Sequence, residues 1–172
     1  MLQGLKLIFK NVNRNMATPN IDKLDYQIIN EMMQNAEISY ADLGKKLFVS
    51  GGTIHVRMKK LHEMGIVQGT KLQVNMEMIG YDVIAFIGIY LEKSSLYDSV
   101  AKELHKIPEI VRLNYTTGNW SIFVEIICKD IQQLRHILHD QLQKVKGIDR
   151  TETIISLEET MNRSINVDID KK

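Results

Sequence analysis

The sequence predicts an α+β protein, with an N-terminal winged helix-turn-helix followed by a C-terminal βαββαβ sheet of the ferredoxin-like kind. Three observations predict it. Residues 20–65 hold three short runs of apolar residues at helical spacing. From Val83 the pattern changes to strand, helix, strand, strand, helix, strand. Within the first half, "FVSGGTIHVRMKKLHEMG" opens a helix with Ser50 and two glycines and shows water His55, Arg57, Lys59, Lys60 and His62 around a thin apolar stripe.

The first helix is expected in "NIDKLDYQIINEMMQNA", with Asn20 or Asp22 as its cap, Leu24, Ile28, Ile29 and Met32 inward, and an end near Asn35. The second begins after Ser39, a hydroxyl cap with Asp42 three positions on, and buries Leu43 and Leu47. In the third, Ile54, Met58, Leu61 and Gly65 share one stripe at 100° per residue, while Val56, Lys59, Lys60 and Glu63 point away from it. Thr53 and Arg57 lie on one flank, His55 and His62 on the other. Two short helices joined by "FVSG" match a helix-turn-helix, whose second helix enters the major groove of double-stranded DNA. Ser50, Gly51 and Gly52 then present free backbone N–H groups to a phosphate. Thr53, His55, Val56, Arg57 and Lys60 stand where a recognition helix meets base edges or neighbouring phosphates. The next segment, with a turn at Gln68 to Thr70 between apolar stretches, reads as a wing.

The second half reads as "VIAFIGIYLE" for a strand, "SLYDSVAKELHKI" for a helix burying Leu96, Val100 and Leu104, and a hairpin from "IVRLNYTTG" into "NWSIFVEIICK" around Gly118 and Asn119. "DIQQLRHILHDQLQKV" is the second helix and "TETIISLEE" the last strand. Phe86 to Leu91 and Ile122 to Ile127 carry apolar residues on both faces, where a sheet with one wet face should alternate. A second subunit on the uncovered face is the economical answer, and a two-fold dimer would pair two recognition helices. The expected organisation is an arm over 1–20, the winged helix-turn-helix over 21–81, the sheet domain over 82–160 and a tail over 161–172.

Composition narrows the partners. A chain of 172 residues with a net charge of +1 has no global basic field, and the charges of residues 22–81 balance, so any contact with DNA depends on local placement. No apolar stretch approaches the roughly 20 residues that span a bilayer, and the single cysteine, Cys128, has no disulfide or metal-site partner, which fits a cytoplasmic protein. The arm carries Lys6, Lys10 and Arg14 without acids, a basic segment that could touch phosphates. His136 and His139 stand one turn apart beside Asp140, but no further ligand set accompanies them, so no metal is expected. No nucleophilic triad, phosphate loop or paired carboxylate announces an enzyme. Pattern alone leaves two alternatives open, an architectural DNA-binding protein without a ligand and a small amino-acid-binding enzyme on a ferredoxin-like fold.

Taken in order, "VSGGTIHVR", "GYDV", "FIGI", "YTTGNWSIF" and "RTETIISL" make residues 20–160 resemble the Lrp/AsnC family of bacterial transcription regulators, and in particular its asparagine-type members. The resemblance implies a DNA-binding winged helix-turn-helix, a ligand-binding C-terminal domain, an amino acid as effector with asparagine favoured, no other cofactor, and homodimers that assemble further, up to octamers. It also implies an effector site between dimers, which by matching falls on Thr117, Gly118, Asn119 and Ser121 at the hairpin turn, Gln143 on the second helix, and Thr151 and Thr153 on the last strand. Amides and hydroxyls there can both donate and accept, as a zwitterion requires. Many members have Gly-x-Tyr-Asp at the turn, whereas this chain has Gly118-Asn119-Trp120-Ser121 and lacks that carboxylate. Gly and Asn are also ordinary residues of a tight turn without a ligand.

Overall fold

A computed structural model describes residues 20–167. Three helices, α1 (Lys23–Gln34), α2 (Tyr40–Lys46) and α3 (Gly51–Glu63), precede β1 (Val83–Leu91), α4 (Tyr97–Leu104), β2 (Ile110–Tyr115), β3 (Ile122–Cys128), α5 (Ile131–His136) and β4 (Ile148–Ile155). The chain divides into two compact units, one running to Leu72 and joined again by the chain from Asn162, the other spanning Gln73–Met161. Tyr81 and Asp82 are tied to the sheet unit. The Asp82 N–H donates to the Lys129 carbonyl, and the Lys129 ammonium lies over the Tyr81 ring. The basic arm expected over 1–20 falls, but for Asn20, outside the described residues, as does the end of the tail from 168.

Each helix of the first unit starts where a side-chain oxygen can take an orphaned N–H. Asp22 caps α1 by accepting from the Asp25 N–H at 3.1 Å, while Asp25 accepts from the Asp22 N–H at 3.0 Å, a reciprocal box. Ser39 and Ser50 cap α2 and α3 in the same way. Ile28, Leu43, Ile54, Met58 and Leu61 form the buried centre, closed over by Leu24, Ile29, Met32, Leu47, Ile66 and Val67. Between α2 and α3 the chain reverses at Phe48, a non-glycine residue with φ of 57° and a side chain 96% exposed. From the C-terminal side, Val167 closes on α1 through a paired bond. The Asn30 side chain donates to the Val167 carbonyl at 2.8 Å and accepts the Val167 N–H at 2.9 Å.

The segment read as the wing follows the helix-turn-helix but is not a strand hairpin. Residues 67–76 form no strand and no ladder, and Leu72 and Val74 stay exposed. An apolar alternation specifies strands only when one face has a surface to cover, and an isolated two-stranded hairpin is marginal in water.

In the second unit all neighbouring strands are antiparallel in the order β2-β3-β1-β4, which the βαββαβ sequence pattern predicts. The helix-bearing face buries Ala85, Ile87 and Ile89 of β1 and Ile122, Val124, Ile126 and Cys128 of β3 beneath Val100, Leu104, Leu134 and Ile137. Burial pushes the Cys128 thiol up, so it stays protonated. After α5 the helix widens over Ile137–Gln141 into π geometry and tightens again over Leu142–Lys144 before the turn into β4. The opposite face carries Phe86, Gly88 and Tyr90 on β1 and Phe123, Glu125 and Ile127 on β3; Gly88 is buried and the others half-buried.

Candidate DNA-binding and effector sites

Helix α3 sorts its residues into two sets. Ile54, Met58 and Leu61 are buried in the three-helix core. Gly52, His55, Val56 and Lys59, at spacings of three and four, form the exposed stripe on the far side. The two glycines at its start serve different ends. A Cβ on Gly51 would meet the Ala41 Cα at 3.2 Å and the Tyr40 carbonyl at 3.3 Å, so glycine there lets α2 and α3 approach closely. A Cβ on Gly52 would meet only the Ser50 Oγ at 3.6 Å, leaving the first turn open to a ligand. The Ser50 hydroxyl accepts the Thr53 N–H, capping the helix, and is also hydrogen-bonded to the Thr53 hydroxyl.

Arg57 and Lys60 are differently placed from the groove-reading position the sequence suggests. The Arg57 Nη1 donates to the Asp22 Oδ2 at 2.5 Å and to both oxygens of Asp25 at 3.2 Å. Lys60 donates to the Asn20 carbonyl at 2.7 Å and stands 3.6 Å from Asp25. Asp25 is fully buried, and its charge is met by both cations. The Arg57 hydrogen bond, with the Asp25 N–H behind it, holds the Asp22 carboxyl below the usual carboxylate range. Sequence reasoning missed this cluster, although a signal exists: Asp25 shares the inward stripe of α1 with Ile28 and Met32, where a lone acid needs a partner.

At the β2-β3 turn, a cavity of about 360 Å³ is lined by Thr116, Gly118, Asn119, Trp120 and Phe123. The turn is fixed by the Thr116 N–H donating to the Ser121 carbonyl at 3.0 Å, the Thr116 hydroxyl donating to the Trp120 carbonyl, and the Ser121 N–H donating to the Ile89 carbonyl at 2.9 Å. Trp120 lies on the helix-free face directly over Gly88, where a Cβ would come within 2.4 Å of the indole. Its ring stacks on Phe123 at 5.3 Å, and Phe123 stacks on Phe86 at 5.8 Å. Across the sheet, Glu152 accepts from the Trp120 Nε1 and from the Tyr90 hydroxyl, each at 3.0 Å. Those two bonds, the indole one first, hold the Glu152 carboxyl below its ordinary range.

Of the effector residues matched from the sequence, Gly118 and Asn119 line this cavity, and Thr117 and Ser121 belong to the same turn. Thr151 and Thr153 do not join them within one chain. They pair with Ile89 and Ile87, whose side chains point to the helix-bearing face, so strand alternation brings Glu152 to the Trp120 side instead. Gln143 is exposed on the turn after α5 and does not line the cavity either. Sequence reading passed over Trp120, Phe123 and Glu152, although Trp120 is the one tryptophan of the chain. His136 and His139 both face Asp140, at 2.7 and 3.1 Å, and among the described residues no set of three or more metal-ligating side chains gathers.

The helix-turn-helix and the ferredoxin-like sheet each match a family profile, residues 21–68 as "Winged helix-turn-helix DNA-binding" and residues 84–165 as "Lrp/AsnC ligand binding domain". The regulatory protein AsnC of Escherichia coli K12 is 41% identical over 145 residues, which are 84% of this chain and 95% of that protein. The chain belongs to the Lrp/AsnC family. The AsnC of Haemophilus influenzae is 40% identical over 146 residues, 85% of this chain and 97% of that protein. The solved structure of E. coli AsnC superposes with a TM-score of 0.81 at 39% identity, covering 86% of this chain and 99% of that one. A transcriptional regulator of Neisseria meningitidis, solved as an L-Met complex, shares the fold with a TM-score of 0.81 at 20% identity, covering 87% of this chain and 97% of that one. The Lrp/AsnC membership carries through both units of the chain.

Proposed function

We propose that this Lrp/AsnC protein is a DNA-binding transcription regulator that responds to a small amino acid, with asparagine the favoured effector. The observation that carries the reading is the combination in one chain of a capped helix with an exposed stripe at Gly52, His55, Val56 and Lys59 and a sheet whose β2-β3 turn borders a small open pocket. Two named relatives are AsnC regulators, and the Neisseria neighbour was solved with an amino acid. Gly118 and Asn119 supply close backbone approach and an amide that can pair with a carboxamide side chain. Thr117, Ser121, Gln143, Thr151 and Thr153 complete the effector set when a second dimer brings its own strand edge to the turn. The apolar, helix-free face supports a homodimer, the unit from which further assembly, up to octamers, would build, and a single cysteine without a disulfide partner suits the cytoplasm.

Footprinting of the full chain on genomic DNA, with and without asparagine, tests DNA binding and ligand response together. Protected sites that shift with asparagine are the expected result. A pocket shared between dimers couples ligand to assembly, so calorimetric heat with asparagine should accompany a change in sedimentation, and Gly118→Asp should abolish both while α1–α3 stay folded. Absence of heat and of any sedimentation change with all twenty amino acids would reduce the turn to a structural one and leave the architectural DNA-binding reading. A full chain that sediments as a monomer would remove the role given to the apolar face.

A further inference from the structure

From the clamp on Arg57 and the solvent-facing place of Val56, we infer that Val56 reads the C5-methyl group of a thymine, and that Arg57 and Lys60 are positioning residues rather than base readers. The inference rests on the proposed binding of double-stranded DNA and says which side chains carry its specificity. Val56 is 65% exposed in the middle of the stripe formed by Gly52, His55 and Lys59, opposite the buried Ile54, Met58 and Leu61. An apolar side chain there gains nothing from water. The major groove offers one apolar group in its base-edge pattern, the thymine methyl, which a branched aliphatic side chain meets by contact alone.

The neighbouring cations are committed inward. Arg57 is 30% exposed and binds three carboxylate oxygens, two of them on the fully buried Asp25. Drawing the guanidinium away to a guanine would leave the Asp25 charge in the core with Lys60 alone, at 3.6 Å. Lys60 is further tied to the Asn20 carbonyl. The three groups therefore pin the start of α1 to the middle of α3 and set the angle at which the exposed stripe is presented. Lys59, 71% exposed and among the described residues paired with Glu63 at 3.9 Å, is the cation of α3 placed to meet phosphate or a guanine edge.

The test uses the full chain and duplexes selected by it from a randomised pool. Replacing individual thymines of the selected site by deoxyuridine, which lacks only the methyl group, should weaken wild-type binding at one position per half-site and leave Val56→Ala indifferent to that change. The loss expected is about fivefold or more, the lower end for a single base contact. Arg57→Ala should bind all duplexes more weakly by a similar factor, with the selected sequence unchanged, and Arg57→Lys should recover part of the loss. Melting of Asp25→Asn, Arg57→Ala and the double variant, which needs no DNA, should show effects well short of additive. The inference is overturned if deoxyuridine has no effect at any position, if Val56→Ala retains the full methyl discrimination, if Arg57→Ala changes the selected sequence at one base pair, or if the two melting effects add. Failure of the wild type to enrich any duplex strikes the DNA-binding reading itself, and Val56's role with it, while the melting cycle still decides the clamp.

Discussion

Phe48 occupies a backbone region that favours glycine, since its φ of 57° brings Cβ toward the following carbonyl, and its 96% exposed ring recovers nothing from packing. The left-handed conformation costs about 1–2 kcal/mol for a side-chain-bearing residue, and glycine's extra chain entropy returns about 0.5–1 kcal/mol of that. Phe48→Gly should therefore leave the protein as stable or more so by up to about 1 kcal/mol, read as a higher urea midpoint with an unchanged slope. Glu152 makes a second prediction. Its folded-state carboxyl is held low by the Trp120 indole and the Tyr90 hydroxyl, so the folded protein binds fewer protons there than the unfolded chain. The stabilisation is complete above the ordinary glutamate value, about 4.3, and fades as pH falls through the lowered one. Trp120 fluorescence followed downward from pH 5 should change as Glu152 takes its proton, and Glu152→Gln should remove that step.

The close approach of α2 and α3 depends on Gly44 and Gly51 and not on Gly52. Gly44 sits inside α2 where a Cβ would lie 2.7 Å from the Val49 carbonyl and 2.9 Å from the Gly51 nitrogen, both backbone atoms that cannot step aside. Gly44→Ala should lower stability by about 1–3 kcal/mol in chemical denaturation, the usual range for overpacking, whereas Gly52→Ala should be nearly neutral. Periodicity located every long helix, because Ile28, Leu43, Ile54 and Leu61 recur on one face, and the Asp22, Ser39 and Ser50 caps announce their starts. It located β1 to β4 for the same reason. It could not place the wing, whose Leu72 and Val74 carry the alternation without a surface to bury against. Side-chain pairings between elements were equally hidden. Nothing local to "VRMKK" says that Arg57 meets Asp22 and Asp25 some thirty residues earlier, and the alternation of β4 had to be seen in register with β1 before Glu152 replaced Thr151 and Thr153 beside Trp120.

In the molecule as a whole, the family resemblance and the bottom-up pattern agree on architecture, while the effector set divides. Its turn residues surround a cavity of one chain, and its β4 residues face away. The proposed site, completed by another subunit, would reconcile the two sets, and it couples assembly to ligand. Asn30 offers a separate whole-chain prediction. Asn30→Ala removes two hydrogen bonds to Val167, each worth about 0.5–1.5 kcal/mol, and should speed amide exchange in α1 while leaving β1 and β3 protected. The same bond sets an order of events on the ribosome. Helices α1 to α3 emerge first, yet Val167, which pairs with Asn30, follows it by 137 positions, on the order of ten seconds at about 5–20 residues per second. The Asn30–Val167 pairing therefore forms only after the whole sheet has been translated, on a helical core whose buried residues are all made before it.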